Sequence, residues 1–568
     1  MKTIVSAISL WKKFDLSNPL GASEWGIENA DGMRRSHISY YGHNAEDGSV
    51  RIYARFCRPE GEGKRPTVLF LGDAGERVSE EILTFFAAKG YAVLIPDYSG
   101  KTEKDTDGVM RTVYPPSLEY GNLDKAQGLE SLRDLETEQT TWFEWTYVAL
   151  YSIAYLKSRE DVGNIGVVGV RMGGEIAWQA MLSPDIKCGV PISAAGWRSF
   201  AKYAKFGDDI AHNLSDDRHR YIAAVEAQSY APYVKCPVLM LSALHDKKFD
   251  CDRAYDTYSR IGNEDGNALA YSMESGGCIG PNGLADMELF LEKNLKGREI
   301  YIPDTLNVSL KETEEGLQVD VECDKEGILE ESGVFYAEAD VKTKSAYREW
   351  RCKHKVDGIS VKNGKYSCTI QPFAGATAAF VFAYAKYING FRVMSKIVSR
   401  RFNKTDVAAV RSRNVFTDGN LECFSIAEHE EYSIGGIFLE RSAVPKHFIG
   451  YGGIKGAYSV GGIRTYKISS PRFVPMENAL LAFDVYSPQT QDITVTVEMA
   501  HVEKGDGSYV CTVPVKGGGK WKRVILKAGD FKGGEYGYPL ENFCDGSALV
   551  FDCADEEQEF GVTNILWL

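Results

Sequence analysis

Residues 165–174 carry the pattern that most constrains the fold of this chain, Ile-Gly-Val-Val-Gly-Val-Arg-Met-Gly-Gly. The start of this segment is apolar and short, which is typical of a buried strand. Gly169 and Gly173 bracket the turn that follows, and residues 175–182 predict a helix that stops before Pro184. A buried strand that turns directly into a helix indicates a parallel sheet covered by helices.

The alternation of strands and helices extends from residue 36 to residue 296. It begins with a predicted β-hairpin at 36–58. Helices are predicted after Ser79, which can cap a first turn, and from a Thr141-x-x-Glu144 capping box. A last helix is predicted over 283–296. Short apolar runs predict strands at Thr67–Leu71, Ala92–Ile95, Ile165–Val168, Gly189–Ile192, Val238–Leu241 and Leu269–Met273. This order predicts a mostly parallel sheet with helices on both faces.

Beyond about residue 300 the pattern changes to strands alone. Alternating runs predict a small immunoglobulin-like β-sandwich over 299–400. A basic and polar connector, Arg400–Arg413, follows it. Residues 416–568 are rich in glycine and predict a jelly-roll that the C-terminal strand closes. The sequence therefore predicts a multidomain chain, with an α/β domain at 1–298 and two all-β sandwich domains after it.

Charge and cysteine usage exclude several classes of function. The net charge of −14 argues against nucleic acid or an anionic membrane as the main partner. Residues 3–11 lack the sustained apolar core and cleavage site of a secretory signal, and no stretch reaches the roughly 18 apolar residues of a membrane span. The 12 cysteines are scattered, with no C-x-x-C pair. This pattern predicts reduced thiols in a cytoplasmic protein, without a metal site or a cofactor.

Residues 36–296 resemble the acetyl xylan esterase and dienelactone hydrolase branch of the α/β-hydrolases. Several segments in the family's order carry the resemblance, namely Thr67–Asp73, Tyr91–Asp97, Gly169–Gly174, Pro237–Asp246 and the final helix at Leu284–Leu295. Residues 416–568 resemble galactose-binding-like carbohydrate-binding modules through their strand rhythm and the segment Gly519–Val524. The resemblance implies an α/β-hydrolase fold followed by β-sandwich modules.

The resemblance places Arg171 where these enzymes have the nucleophilic serine of the G-x-S-x-G elbow. A guanidinium is permanently protonated and cannot attack a carbonyl. Asp246 falls at the position of the triad acid. The loop that should supply the triad histidine, 272–282, contains no histidine and holds Cys278 instead. Loss of the nucleophile or of the base alone costs on the order of 10⁶ in rate, so the resemblance implies a lapsed catalytic site.

Arg171 has three possible roles in such a site. It could form a salt bridge with Asp246 or Glu274 and so plug the former site with an ion pair. It could instead bind an anion together with the amide groups at the start of the following helix. The third possibility is unusual catalysis, with Cys278 as a displaced nucleophile, although a loop thiol without a neighbouring base is usually inert.

An oxyanion hole is also implied by the resemblance. Its backbone groups would be those of Asp73 or Ala74, in the loop after the first parallel strand, and of Met172. The remaining polar candidates have ordinary structural explanations. His245 adjoins the triad acid but faces away if its segment is extended. His212 and His219 lie in the polar segment Gly207–Arg220, which could form a lid over the site.

The C-terminal module offers Trp521, Tyr536 and Tyr538 as a candidate sugar-stacking platform, although aromatic residues in a sandwich also pack in its core. The sequence thus predicts a catalytically lapsed, esterase-like protein that binds or assembles around a carbohydrate or an acylated small molecule. One alternative is an active carboxylic-ester hydrolase, such as a carbohydrate deacetylase, with a non-standard nucleophile. Another is a structural protein with no small-molecule site. The oligomeric state stays open.

Overall fold

The computed structural model describes residues 6–11, 14–76, 78–100, 110–123, 125–128, 135–200, 215–246, 251–273, 278–339, 350, 352–356, 359–373, 375–402, 411–417, 421–426, 433–440, 444–499, 507–533, 536–553 and 558–568. The helices of this part are α1 (Ala7–Leu10), α2 (Glu80–Ala88), α3 (Thr141–Ser158), α4 (Met172–Ala180), α5 (Asp216–Ala224), α6 (Ala227–Tyr230), α7 (Ala254–Tyr258) and α8 (Pro281–Lys296). None of these described helices is both long enough and apolar enough to cross a membrane.

A nine-stranded mixed sheet organises the N-terminal half of the chain. Its strands are β1 (Ser23–Ala30), β2 (Met33–Ala45), β3 (Gly48–Pro59), β4 (Arg65–Leu71), β5 (Ala92–Pro96), β6 (Val162–Val170), β7 (Ile186–Ile192), β8 (Leu239–Ala243) and β9 (Ala268–Ser272). They lie in the order β1-β2-β3-β5-β4-β6-β7-β8-β9. The run from β5 to β9 is parallel, and the first three strands add an antiparallel edge. The parallel part is the sheet that the sequence predicts.

Helices cover both faces of this sheet because its central strands are apolar on both sides. In β4, Leu69 and Leu71 belong to the core shared with α3 and α4. The alternate residues Val68 and Phe70 belong to the core shared with α2 and α8. The N-terminal region is therefore an α/β-hydrolase-like layer structure, with the loops at the carboxyl ends of the parallel strands free to form a site.

Two predicted helix starts have different outcomes. Ser79 caps α2 as predicted, and its hydroxyl accepts a backbone N–H of the first turn. The capping box predicted from Thr141 and Glu144 is wrong, because the cap of α3 is Thr140 and makes no side-chain hydrogen bond. Glu144 is fully buried and its two carboxylate oxygens lie 3.0 Å from His43 Nδ1. A buried carboxylate needs a strong polar partner, and the histidine on β2 supplies it.

The middle region, from residue 307 to residue 401, is built of strands. A three-stranded sheet contains β10 (Asn307–Thr313), β11 (Gly316–Glu322) and β14 (Lys365–Ile370). A five-stranded sheet contains β12 (Leu329–Ala339), β13 (His354–Val356), β15 (Ala378–Tyr387), β16 (Arg392–Met394) and β17 (Val398–Arg401). Buried residues of both sheets, such as Val319 and Val381, share one core. The two sheets form an all-β unit, while its immunoglobulin-like topology stays a prediction.

The C-terminal region pairs two larger sheets around a separate core. One contains β18 (Asn414–Phe416), β22 (Lys446–Ile449), β23 (Lys455–Val460), β25 (Leu481–Tyr486), β28 (Lys522–Leu526) and β32 (Glu559–Trp567). The other contains β19 (Phe424–Ile426), β24 (Gly462–Thr465), β26 (Gln491–Met499), β27 (Ser508–Val515), β29 (Lys532–Gly533), β30 (Tyr538–Pro539) and β31 (Gly546–Cys553). The last strand, β32, lies between β23 and β25, inside the first of these sheets.

A short hairpin of the C-terminal region reaches back onto the N-terminal region. It consists of β20 (Ser433–Ile434) and β21 (Phe438–Leu439), and we call residues 433–439 the strap. Ile279 N–H donates to the Ile437 carbonyl at 2.8 Å, and Leu439 N–H donates to the Ile279 carbonyl at 3.0 Å. Phe438 is fully buried in the core that contains α2 and α8. The strap thus fixes the segment between β9 and α8.

Phe438→Ala should lower stability by about 3 kcal/mol, because a large buried ring is replaced by a cavity. We expect the midpoint of urea unfolding, followed by tryptophan fluorescence, to fall for this variant. Tyr538→Ala is the matched control, since Tyr538 is 65% exposed in the same C-terminal region. Equal midpoints for the two variants would show that the strap is not part of the core.

Candidate functional site

The turn between β6 and α4 retains the geometry of a nucleophile elbow. Arg171 has φ +49° and ψ −111°, a strained conformation for a residue with a side chain. Its N–H donates to the Ile192 carbonyl on β7 at 2.9 Å. Both flanking positions require glycine. A Cβ on Gly173 would lie 2.2 Å from the Leu71 carbonyl oxygen, and a Cβ on Gly169 would lie 2.4 Å from the Gly173 carbonyl oxygen. The elbow is therefore intact, with a guanidinium at its apex.

Asp73 fills the position that an oxyanion hole would occupy. Its Oδ1 accepts hydrogen bonds from Met172 N–H at 3.2 Å and from Ala74 N–H at 3.0 Å. Its Oδ2 lies 3.7 Å from Arg171 Nη1. The start of α4 and the guanidinium both favour a negative charge at this point. The backbone groups that the resemblance implies for an oxyanion hole thus hold a carboxylate of the chain itself.

The acidic partner of Arg171 follows from the strand order. The sequence predicts Asp246 or Glu274, and among the described residues an ion pair joins Arg171 to Asp73. The Asp73 loop follows β4, which lies directly beside β6, while β8 is separated from β6 by β7. Asp246 follows β8 and is 5% exposed. Glu274 lies outside the described residues.

The edge of the site near Asp246 is covered by the other two regions of the chain. His245 Nε2 lies 2.9 Å from the Trp350 carbonyl oxygen, and its ring packs edge-on against Tyr466 at 5.9 Å between centroids. Lys353 donates to the Met273 carbonyl at 3.2 Å. His245 therefore lies at a junction of three regions of the chain.

The segment at the position of the triad histidine is held by the strap. Cys278 Sγ donates to the Gly436 carbonyl at 3.4 Å. Gly280 N–H donates to Ser272 Oγ at 3.0 Å, which fixes the loop to the end of β9. The thiol that the sequence offers as a displaced nucleophile is thus engaged with the strap. A carbonyl that accepts the S–H favours the neutral thiol over the thiolate, which is the reactive form.

Side chains of α3 and α5 pack beside the elbow. Trp142 and Tyr221 are buried to 2% exposure each and form a small cluster against which Met172 packs. His219 lies on α5, and His212 lies outside the described residues. Residues 207–214 of the segment that the sequence offers as a lid lie outside the described residues, and its remaining residues lead into α5.

A buried carboxylate beneath the elbow was not foreseen from the sequence. Glu175 lies in the first turn of α4, is fully buried, and accepts the Gly196 N–H at 3.0 Å. Burial raises the pKa of Glu175 to about 7, and Glu226 nearby adds to this effect while Arg198 opposes it. Arg198 also contacts Met172 Sδ. The loop after β7 thus brings a second arginine to the elbow.

Glu175 should make the stability of the protein depend on pH near neutrality. Its folded-state pKa of about 7 lies above the ordinary 4.5, so its stabilising contribution is complete below pH 4.5 and is lost as pH rises through 7. Glu175→Gln keeps the neutral form at every pH. We expect the free energy of unfolding, measured with urea, to fall less between pH 5 and pH 8 in this variant than in the unaltered protein, by at most about 3 kcal/mol. Parallel declines for both proteins would exclude a neutral buried Glu175.

The three aromatic residues predicted as a sugar platform lie in two places. Trp521 precedes β28 and packs with Phe448 at 5.7 Å and Tyr486 at 5.6 Å between ring centroids. Tyr536 and Tyr538 lie at the end of the other sheet, 76% and 65% exposed, with ring centroids 6.0 Å apart.

Among the residues that the structure describes, no group of three or more metal-ligating side chains is placed to hold an ion.

Comparisons with known proteins agree with the hydrolase-like layer structure. Residues 52–267 match the model of the Dienelactone hydrolase family. An acetyl xylan esterase from Paenibacillus sp. R4 is 20% identical over 51% of this chain and 92% of its own, with a TM-score of 0.41. Acetyl xylan esterase 1 from Thermoanaerobacterium sp. JW/SL YS485 is 15% identical over 49% and 89%, with a TM-score of 0.38. No curated protein matches this chain. The family match supports an esterase-like α/β-hydrolase region.

Proposed function

We propose that this chain is a catalytically lapsed, esterase-like α/β-hydrolase that is retained to bind a carbohydrate or an acylated small molecule. The contact that carries this proposal is the one between Asp73 and the elbow. Ester hydrolysis needs two N–H groups that receive the developing oxyanion. Here the N–H groups of Met172 and Ala74 already donate to a carboxylate. A negative charge in that position opposes the formation of a second one.

The other two requirements of a serine-type hydrolase are also unmet at the matching positions. A nucleophile must lose a proton at the apex of the elbow, and the side chain of Arg171 cannot do so. A base must accept that proton, and the loop that should carry it holds Cys278, which faces the strap. The sheet, the elbow and the glycines around it nevertheless persist. A site with this geometry and without these groups suits binding better than turnover.

The protein should hydrolyse p-nitrophenyl acetate no faster than its Arg171→Ala variant, because neither carries a nucleophile at the apex. A fluorophosphonate probe, which labels activated serines, should leave both proteins unlabelled. Cys278→Ala is the control for a displaced thiol nucleophile. Robust turnover that disappears in Cys278→Ala would overturn the lapsed-site proposal in favour of an active hydrolase.

Asp73→Ala should free the two N–H groups and leave Arg171 without this carboxylate, and we expect a loss of about 1–2 kcal/mol in stability. Added acetate should then raise the melting temperature of Asp73→Ala and have little effect on the unaltered protein. The double variant Asp73→Ala, Arg171→Ala is the control, because it lacks the guanidinium that attracts acetate. If acetate raised the melting temperature equally in all three proteins, Asp73 would not occupy an anion site.

A further inference from the structure

Four aromatic rings form a stripe across the outer face of the six-stranded C-terminal sheet. Phe448 on β22 contacts Tyr458 on β23 at 4.9 Å and Tyr486 on β25 at 4.7 Å between ring centroids. Trp521, just before β28, contacts Phe448 at 5.7 Å and Tyr486 at 5.6 Å. Each ring is half-buried. The stripe therefore runs from one edge of the sheet to the other.

Two glycines allow the rings to lie against the sheet. A Cβ on Gly456 would lie 2.8 Å from the Trp521 ring, and a Cβ on Gly561 would lie 3.1 Å from the Phe448 ring. Any other residue at these positions would lift the rings away from the backbone. The glycines thus permit a continuous, shallow aromatic surface.

The exposed apolar surface continues beyond the stripe at the turn between β22 and β23. Ile449, Tyr451 and Ile454 are 67%, 61% and 41% exposed. Single exposed apolar residues need no explanation, but a contiguous patch of this kind is typical of a binding surface. The rings of this patch offer flat faces and the tyrosines offer hydroxyl groups, a combination that suits a ligand with both C–H faces and polar substituents.

Two lysines give this patch a positive charge. Lys446 Nζ lies 5.7 Å from the centre of the Tyr458 ring, and Lys520 Nζ lies 5.4 Å from that of Tyr451. Neither lysine forms an ion pair within the part of the chain that the structure describes. Unneutralised lysines on an aromatic patch, in a chain with a net charge of −14, indicate a ligand that carries negative charge.

We propose that this patch binds a polysaccharide that carries carboxylate groups. The C–H faces of its sugar rings would pack on Trp521 and Tyr451, and its carboxylates would lie near Lys446 and Lys520. A single-stranded nucleic acid also combines flat rings with negative charge, but it carries a phosphate at every nucleotide and needs a strongly basic groove. Two lysines beside the acidic Glu559, which accepts the Tyr458 hydroxyl, suit a sparser charge.

The proposal rests on the proposed function only in assigning the chain a binding role. It concerns a surface of the C-terminal region, whereas the lapsed site lies on the N-terminal sheet. Its readout is glycan binding, and that of the lapsed site is ester hydrolysis. An active esterase with an intact glycan-binding patch, or an inactive protein without one, would therefore separate the two proposals.

Affinity electrophoresis and calorimetry of the full chain should show binding to polygalacturonate and weaker binding to neutral xylan. Tyr451→Ala should weaken binding about tenfold through loss of ring contact, and Lys520→Ala about threefold through loss of one exposed charge. Added salt should weaken binding by the unaltered protein more than binding by Lys520→Ala. Tyr41→Ala is the matched control and should bind as the unaltered protein does, since Tyr41 is a 49% exposed tyrosine on β2 of the N-terminal sheet.

Three outcomes would overturn the proposal. One is equal binding by Tyr451→Ala and the unaltered protein. Another is an affinity for neutral xylan that matches the affinity for polygalacturonate, because the lysines would then have no part in recognition. The third is tighter binding to oligo-deoxythymidine than to polygalacturonate, which would assign the patch to nucleic acid. Both variants change exposed side chains, so a loss of binding with an unchanged melting temperature is a loss of the site.

Discussion

The hydrogen bonds and the ion pair of Asp73 explain how this elbow accommodates an arginine. The start of α4 concentrates positive partial charge, and a guanidinium beside it would be repelled without an anion. Asp73 supplies that anion, through Met172 N–H and Ala74 N–H on one oxygen and Arg171 on the other. Arginine at the apex and aspartate in the neighbouring loop are thus electrostatically matched. The match stabilises the turn and occupies the N–H groups of Met172 and Ala74.

The rest of the molecule holds this arrangement in place. The strap forms hydrogen bonds with Ile279 and Cys278, so the C-terminal region contributes to the position of these two residues. The middle region contacts His245 beside the triad-acid position. Trp142 and Met172 pack over the elbow with α5. The edge of the sheet at the elbow thus packs against several other parts of the chain.

Local features of the site could be predicted from the sequence, and long-range ones could not. Gly169, which faces the Gly173 carbonyl, and the Ser79 cap depend on neighbours a few residues away, so the local sequence pattern predicts both. The partner of Arg171 depends on β4 lying beside β6, and Glu144 pairs with a histidine about a hundred residues earlier. Trp521 separates from Tyr538 because they belong to different sheets, a division that strand rhythm alone does not reveal.

The most direct test of the account is a high-resolution crystal structure of the unaltered protein, grown without carboxylates, phosphate or sulfate. We expect electron density for the Asp73 carboxylate within hydrogen-bonding distance of Met172 N–H and Ala74 N–H, with the Arg171 guanidinium beside it. Density that shows Asp73 turned away, with water on both N–H groups and Arg171 extended into solvent, would contradict it. An open oxyanion hole of that kind would remove the contact on which the proposed binding function rests.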